Sequence, residues 1–407
     1  MKNKSSLAPK KMKTVNIIDG VQVSATHCGL KKNKKDDLVL IKLKSPGEIL
    51  GCFTKSKTPG EPVLWNKKII KKNKVSAILI NSGNANVLNG DAGKKSIDKI
   101  VDYLSLKLKV PKNEIYLAST GVIGEPLDES KIINKIPSLI DNLSNKKKNW
   151  EQAANAIRTT DTFSKFHSET LSKNNLFHIN GIAKGSGMIY PNMATMLAFI
   201  FTNYDFKISD ISKDFKRIVD STFNSISVDG DTSTSDMVLL FSIKNGNSLK
   251  TKNTLGPIFL KKLEKIMLKL SHLIIRDGEG ATKFIEVEVK NAKNSDEAKL
   301  IAKSIINSPL IKTAMAGSDS NWGRVVMAIG KSYANINPDK LSIKFGNYSV
   351  LSKGQKHVTK NIKKINKYLM NKEIKILVDI GAGPGTSKMW TCDFTKEYIS
   401  INADYRS

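Results

Sequence analysis

The feature that most limits how this chain can fold is a series of short apolar runs, each separated from the next by a stretch with helical spacing. Val75 to Ile80 is one such run, Met196 to Phe201 is apolar throughout, Val238 to Phe241 is alike, and Ile374 to Ile380 is largely apolar. Phe284 to Val289 alternates instead. Runs of this length with these residues read as strands. Between them, Ile97, Ile100, Val101 and Leu104 mark one helical face. So do Ile211, Phe215, Ile218, Val219 and Thr222, and again Leu263, Ile266, Met267, Leu270 and Ile274. The turn-rich Asn81 to Asn86 is expected to close the first run, and Lys146 to Lys148 to form an exposed loop or a helix start. The pattern predicts a mixed α/β protein with substantial sheet. No internal repeat or long low-complexity linker divides it. At 407 residues the chain has room for two or three domains, or for one large body with an appended lobe.

Charge narrows the function by exclusion. Lys and Arg number 66 against 37 Asp and Glu, a formal net charge of +29, which invites a nucleic-acid reading. The excess is Lys rather than Arg, however, and is scattered through every segment. No run interleaves aromatics with basic residues, and no helix-turn-helix, zinc-finger or RNP pattern appears. A solvated, Lys-rich surface is expected, with no nucleic-acid partner. No apolar stretch reaches the roughly 18 to 20 residues of a membrane span, and the basic start lacks an apolar core, so no membrane partner is expected. Cys28, Cys52 and Cys392 lie far apart and form no CxxC pair, which argues against a disulfide framework or structural zinc and for a reducing cytoplasm. No His/Asp/Glu group has metal-ligand spacing.

The chemistry is carried by Ala183-Lys-Gly-Ser-Gly-Met-Ile-Tyr-Pro-Asn-Met-Ala-Thr195 and the apolar residues after it. A glycine-rich segment leads to Pro191 in a turn, then to a Thr at the head of a buried strand. If the Ala194–Thr195 bond is cut, Thr195 becomes a chain terminus with its α-amine beside its own hydroxyl. An α-amine has a reference pKa of about 7.7 to 8, so near neutral pH it serves as a general base without a histidine. A Thr before an apolar run is ordinarily structural; the surrounding residues change that reading.

The run resembles the self-processing junction of the ornithine acetyltransferases, bifunctional glutamate N-acetyltransferases, nearly residue for residue. By that resemblance, Thr195 attacks the Ala194 carbonyl, an N-to-O acyl shift gives an ester, and hydrolysis releases an α chain, 1–194, and a β chain, 195–407. Leu117-Ala-Ser-Thr-Gly-Val-Ile-Gly124 resembles the family's oxyanion motif, with Thr120 and Gly121 as donors. Other family landmarks run along nearly the whole chain. They include Ala25 to Leu43, Gly51 to Leu64, Asn81 to Asn86, Asp229 to Thr234, Asp277 to Lys283, Asn321 to Arg324 and Ile401 to Ser407. The resemblance implies that Thr159, Lys184, Thr195, Glu279, Asn402 and Ser407 contact substrate. A cation such as Lys184 suits a substrate carboxylate, and an acid such as Glu279 suits the ornithine ammonium. Thr160 competes with Thr159 for its place.

Two segments depart from the family pattern. Ser235 and Met237 follow Thr234 where a more polar Asn-Asp-Thr is usual, although Asp236 is kept. Gly381 to Trp390 also differs in its glycine and alanine spacing. That second segment imitates a dinucleotide-binding turn, but its third glycine falls at Gly385 and the chain ends soon after. Gly90 to Ser96 likewise misses the phosphate-loop spacing.

The expected fold is a mixed α/β, layered αββα-type sandwich with a smaller C-terminal α/β lobe from about residue 285; its topology rests on the resemblance. The expected activity is ping-pong transfer of the acetyl group of N2-acetyl-L-ornithine to L-glutamate in arginine biosynthesis, with no cofactor. Acetyl-CoA as a further donor, and a dimer of αβ units (a heterotetramer), are what the family implies. The rival reading is a self-processing aminopeptidase or amidohydrolase on a related scaffold, in which water takes the acyl group.

Overall fold

A computed structural model describes residues 4–12, 15–171, 177–190, 196–244, 252–356 and 362–404 of the chain. It is a mixed α/β protein built on two sheets. The strands are β1 (Val21–Thr26), β2 (Leu38–Phe53), β3 (Lys74–Asn84), β4 (Ile115–Val122), β5 (Lys165–Thr170), β6 (His178–Lys184), β7 (Leu197–Thr202), β8 (Ile226–Ser227), β9 (Met237–Ser242), β10 (Phe284–Ala292), β11 (Ser342–Phe345), β12 (Tyr348–Ser352), β13 (Gln355–Lys356), β14 (Glu373–Asp379) and β15 (Gly385–Cys392). The first sheet runs β4-β3-β2-β9-β7-β6-β5, with β1 paired to β2. The second runs β13-β12-β11-β14-β10-β15-β8.

The apolar run at β7 explains itself. Side chains alternate across a strand, so one buried face would require only every second residue to be apolar. Here Leu197, Phe199 and Phe201 pack with Leu239, Phe241 and Trp150 on one face, while Ala198 and Ile200 pack with Phe215, Leu263, Ile266 and Leu270 on the other. β7 lies between β6, antiparallel, and β9, parallel, so its edges are covered as well. The helices Ile208–Ser221 and Lys252–Arg276 supply the second face. They do so through the stripes read from the sequence. The same core reaches Ile226, Phe284, Trp390 and Cys392 of the second sheet, which joins the two layers.

Most strand and helix expectations hold, with differences at the ends. The helix Gly90–Leu108 buries Ile97, Ile100, Val101 and Leu104. Lys146 is the cap of the helix Lys147–Ala156. Asn81 to Asn84, expected as turn, continues β3, because Asn81 and Ser82 pair with Ser119 and Thr120 of β4. The strand ends in an irregularity where Gly83 faces Gly121. Gly381 to Gly385 turns from β14 directly into β15, so a strand rather than a helix follows the glycines. All three cysteines are free. Among the described residues no helix is long and apolar enough to cross a membrane.

Candidate functional site

The ends of β4 and β6, the loops before β5 and β9, the turn after the helix Lys252–Arg276 and the C-terminal helix Lys396–Ala403 converge on a cavity of about 240 Å³. Thr120, Gly121, Thr159, Lys184, Glu279 and Asn402 all line it. These residues lie far apart in sequence, and the fold brings them together. Thr160, Gly187, Met188 and Ser233 to Ser235 also line it, with Ala85, Val122 and Ile123. Ala194, Thr195 and Ser407 lie outside the described residues.

Gly121 can only be glycine here. Its φ is +138°, and an added Cβ would stand 2.3 Å from the Gly83 carbonyl carbon. Gly83 has φ +110° and meets Leu30 in the same way. The two glycines let β3 and β4 remain paired up to the cavity, with the Thr120 hydroxyl at its edge. Ser119 donates to Asn81 at 2.6 Å and Asn81 to the Asn84 carbonyl at 2.9 Å, which fixes the corner.

Lys184, at the end of β6, is 3% exposed, and its ammonium donates to Thr159 Oγ1 at 2.9 Å and to Thr120 Oγ1 at 3.2 Å. Burial pushes its pKa below the ordinary value; Asp161 opposes that shift and Lys165 adds to it. Because the ammonium supplies the proton in both bonds, each hydroxyl keeps its own O–H to offer elsewhere. This geometry ties Thr159 rather than Thr160 to Lys184.

Behind the wall sits a buried ionic cluster that the sequence did not announce. Lys165 Nζ lies 2.6 Å from Asp161 Oδ1 and 2.5 Å from Asp277 Oδ2, with all three side chains fully enclosed. Burial works against ionised Asp161, but Lys165 and Lys184 outweigh it and hold its carboxyl below the usual range. Asp277 is pushed the other way by burial, which Lys165 only partly offsets. A Lys in a strand reads as surface by default, and only the carboxylates brought from two other segments make this one affordable.

Glu279 is buried and accepts from Asn402 Nδ2 at 2.8 Å. A Cβ on Gly187 would fall 2.4 Å from Glu279 Oε2, so the carboxylate reaches the cavity because residue 187 has no side chain. Near the start of β7, Met196 donates its amide to Asp236 Oδ1 at 2.8 Å. Asp236 is wholly buried, its Oδ2 meets no hydrogen-bond partner among the described residues, and burial raises its pKa well above normal against the Met196 amide, Lys184 and Ser233. Of the altered neighbours of Asp236, Ser235 lines the cavity, whereas Met237 is buried beside Asn66. Among the described residues no group of His, Cys, Asp and Glu forms a metal site.

The chain matches the ArgJ family model over residues 22–407. Similar chains include Arginine biosynthesis bifunctional protein ArgJ of Bartonella henselae, 41% identical over 407 residues and 99% of both chains. The protein of the same name from Ruegeria pomeroyi is 42% identical over 406 residues, 99% of this chain and 98% of its own. Among solved structures, Arginine biosynthesis bifunctional protein argJ from Bacillus halodurans aligns at a TM-score of 0.48 and 38% identity, covering 51% of this chain and 98% of that one. With the family model and these relatives matching along nearly its whole length, the chain belongs to the ArgJ family.

Proposed function

We propose that this chain transfers the acetyl group of N2-acetyl-L-ornithine to L-glutamate through an ester on Thr195, after cutting itself between Ala194 and Thr195. The observation that carries the reading is the convergence of Thr120, Gly121, Thr159, Lys184, Glu279 and Asn402 on one cavity. Relatives named as bifunctional proteins of arginine biosynthesis agree with it.

In the self-cleavage, the Thr195 hydroxyl attacks the Ala194 carbonyl. The C–N bond breaks as its nitrogen takes the hydroxyl proton, and water then hydrolyses the ester to leave chains 1–194 and 195–407. In turnover, the freed α-amine takes the Thr195 proton while the oxygen attacks the acetyl carbonyl. The oxyanion accepts from the Thr120 hydroxyl and the Gly121 amide. The proton passes to the departing amine of ornithine, and the amine of glutamate later attacks the acetyl ester. Lys184 takes a substrate carboxylate, Glu279 with Asn402 takes the ornithine ammonium, and Thr159 and Ser407 orient the substrate. No cofactor enters these steps. Acetyl-CoA as a second donor fits the bifunctional reading, and a dimer of cleaved units is the proposed assembly.

Denaturing intact mass on fresh protein beside Thr195→Ala tests the junction. Two chains, the second beginning at Thr195 and absent in the variant, are expected. One uncut chain in both samples would overturn the cleavage. Ornithine release that proceeds equally without glutamate would replace transfer by hydrolysis.

A further inference from the structure

The wall of the cavity is hung on the ionic cluster behind it. Asp161 Oδ1 accepts from Lys165 and from the Gly185 amide at 2.8 Å, and its Oδ2 accepts from the Thr159 amide at 3.1 Å. One carboxylate therefore fixes both the residue after Lys184 and the residue whose hydroxyl Lys184 holds. Asp277 accepts from the Thr162 amide at 3.0 Å, and its own carbonyl takes the Ser186 hydroxyl. Ser186 in turn accepts from the Glu279 amide at 3.0 Å. The Thr159 loop, the end of β6 and the turn bearing Glu279 thus share one internal support.

We infer that Asp161 is a positioning residue for substrate binding: it fixes Lys184 against Thr159 and supplies the negative charge that lets a buried ammonium hold the substrate's carboxylate. This rests on the acetyl-transfer reading above. Lys184 is faced by Asp161 from the loop before β5, by Lys165 from β5, by Glu279 from the turn after the long helix and by Asp236 from the loop before β9; Lys31 is a further cation nearby. Asp161 is the first of these to favour the charged ammonium, and Lys165 the first to oppose it. Removing either should move Lys184 in opposite directions, which a merely structural role would not do.

The test is competitive reductive methylation of the whole protein with formaldehyde across a pH series, read by mass spectrometry at Lys184, for the unmodified enzyme, Asp161→Asn and Lys165→Gln. The reactivity curve of Lys184 is expected to move to lower pH in Asp161→Asn and to higher pH in Lys165→Gln. KM for N-acetylornithine should rise about tenfold or more in Asp161→Asn, increasingly so toward alkaline pH, with kcat changing less. Asp161→Glu, which keeps the charge, should stay near the unmodified curve. Curves that move together, or do not move, overturn the assignment, and either charge-removing variant suffices if the other fails to fold. The labelling needs no catalysis, so shifted curves with no acetyl transfer would count against the activity and not against the role of Asp161.

Discussion

Replacing Thr120 by Val isolates one hydrogen-bond donor with little disturbance of packing. The residue is 6% exposed in a strand, where a β-branched side chain of nearly the same shape fits. Two things are lost. The first is the bond from Lys184 Nζ at 3.2 Å, but that ammonium keeps Thr159 Oγ1 at 2.9 Å. A bond of this charge-assisted kind contributes about 1.5 to 3 kcal/mol, with the low end expected where a second partner remains. The second loss is the donor proposed for the oxyanion, whose removal would cost about 2.7 to 4 kcal/mol in the transition state. That corresponds to a fall in kcat of about 100- to 1000-fold. Steady-state acetyl transfer should therefore show a collapsed kcat and a modestly changed KM in a protein whose Tm falls by only a few degrees. If the proposed self-cleavage draws on the same donors, it should slow alongside. A folded Thr120→Val enzyme within tenfold of the normal kcat would refute the assignment of the hole.

Other perturbations bear on the remaining parts. Gly187→Ala must displace the Glu279 carboxylate, since the new methyl would lie 2.4 Å from its oxygen; a KM raised about tenfold or more with normal folding is expected by calorimetry and kinetics. Burial raises the Asp229 carboxyl to about 6 against its amide donors Met188 and Ile189, so the folded chain binds a proton that the unfolded chain releases near 3.8. The stability this adds is complete below about 3.8 and is lost as pH rises through about 6. Asp229→Asn should flatten that slope in Tm measured from pH 4 to 7, and an unchanged slope would assign it to other groups. Because Asn402 reaches Glu279 from the last helix, a C-terminal tag should lower activity more than an N-terminal one; equal activity of the two would count against that placement.

The sequence showed the central strand and the amphipathic helices because hydrophobic period is a local property. It showed Thr120, Gly121 and Lys184 only through resemblance, since a Thr-Gly pair or a Lys carries no mark of its surroundings. The length of β2 was hidden for a related reason. Pro46 and Gly47 look like a break, yet the pairing with β3 resumes at Gly47 after a register shift. The strand can thus give its first half to β1 and its second to β9. The Lys165 cluster was beyond reach, because its stability depends on partners from the loop before β5 and from residue 277, a meeting that only tertiary structure supplies.

The order of strands in the first sheet bears on what a cut before β7 means for the life of the molecule. β4, β3 and β2, then β6 and β5, come from before the proposed cleavage point, while β9 and β7 lie between them and come from after it. The two proposed products are thus woven through each other, β9 holding a row of hydrogen bonds to β2 and β7 another to β6. The proposed cleavage of such a weave would act as a one-way latch. The uncut chain has its pieces tethered while the middle of the sheet closes, whereas separately made pieces would have to thread two strands into a gap whose borders are not yet formed. By the cleavage reading, synthesis as one polypeptide becomes a requirement of assembly, and the proposed cut a timestamp recorded only on molecules that have already folded.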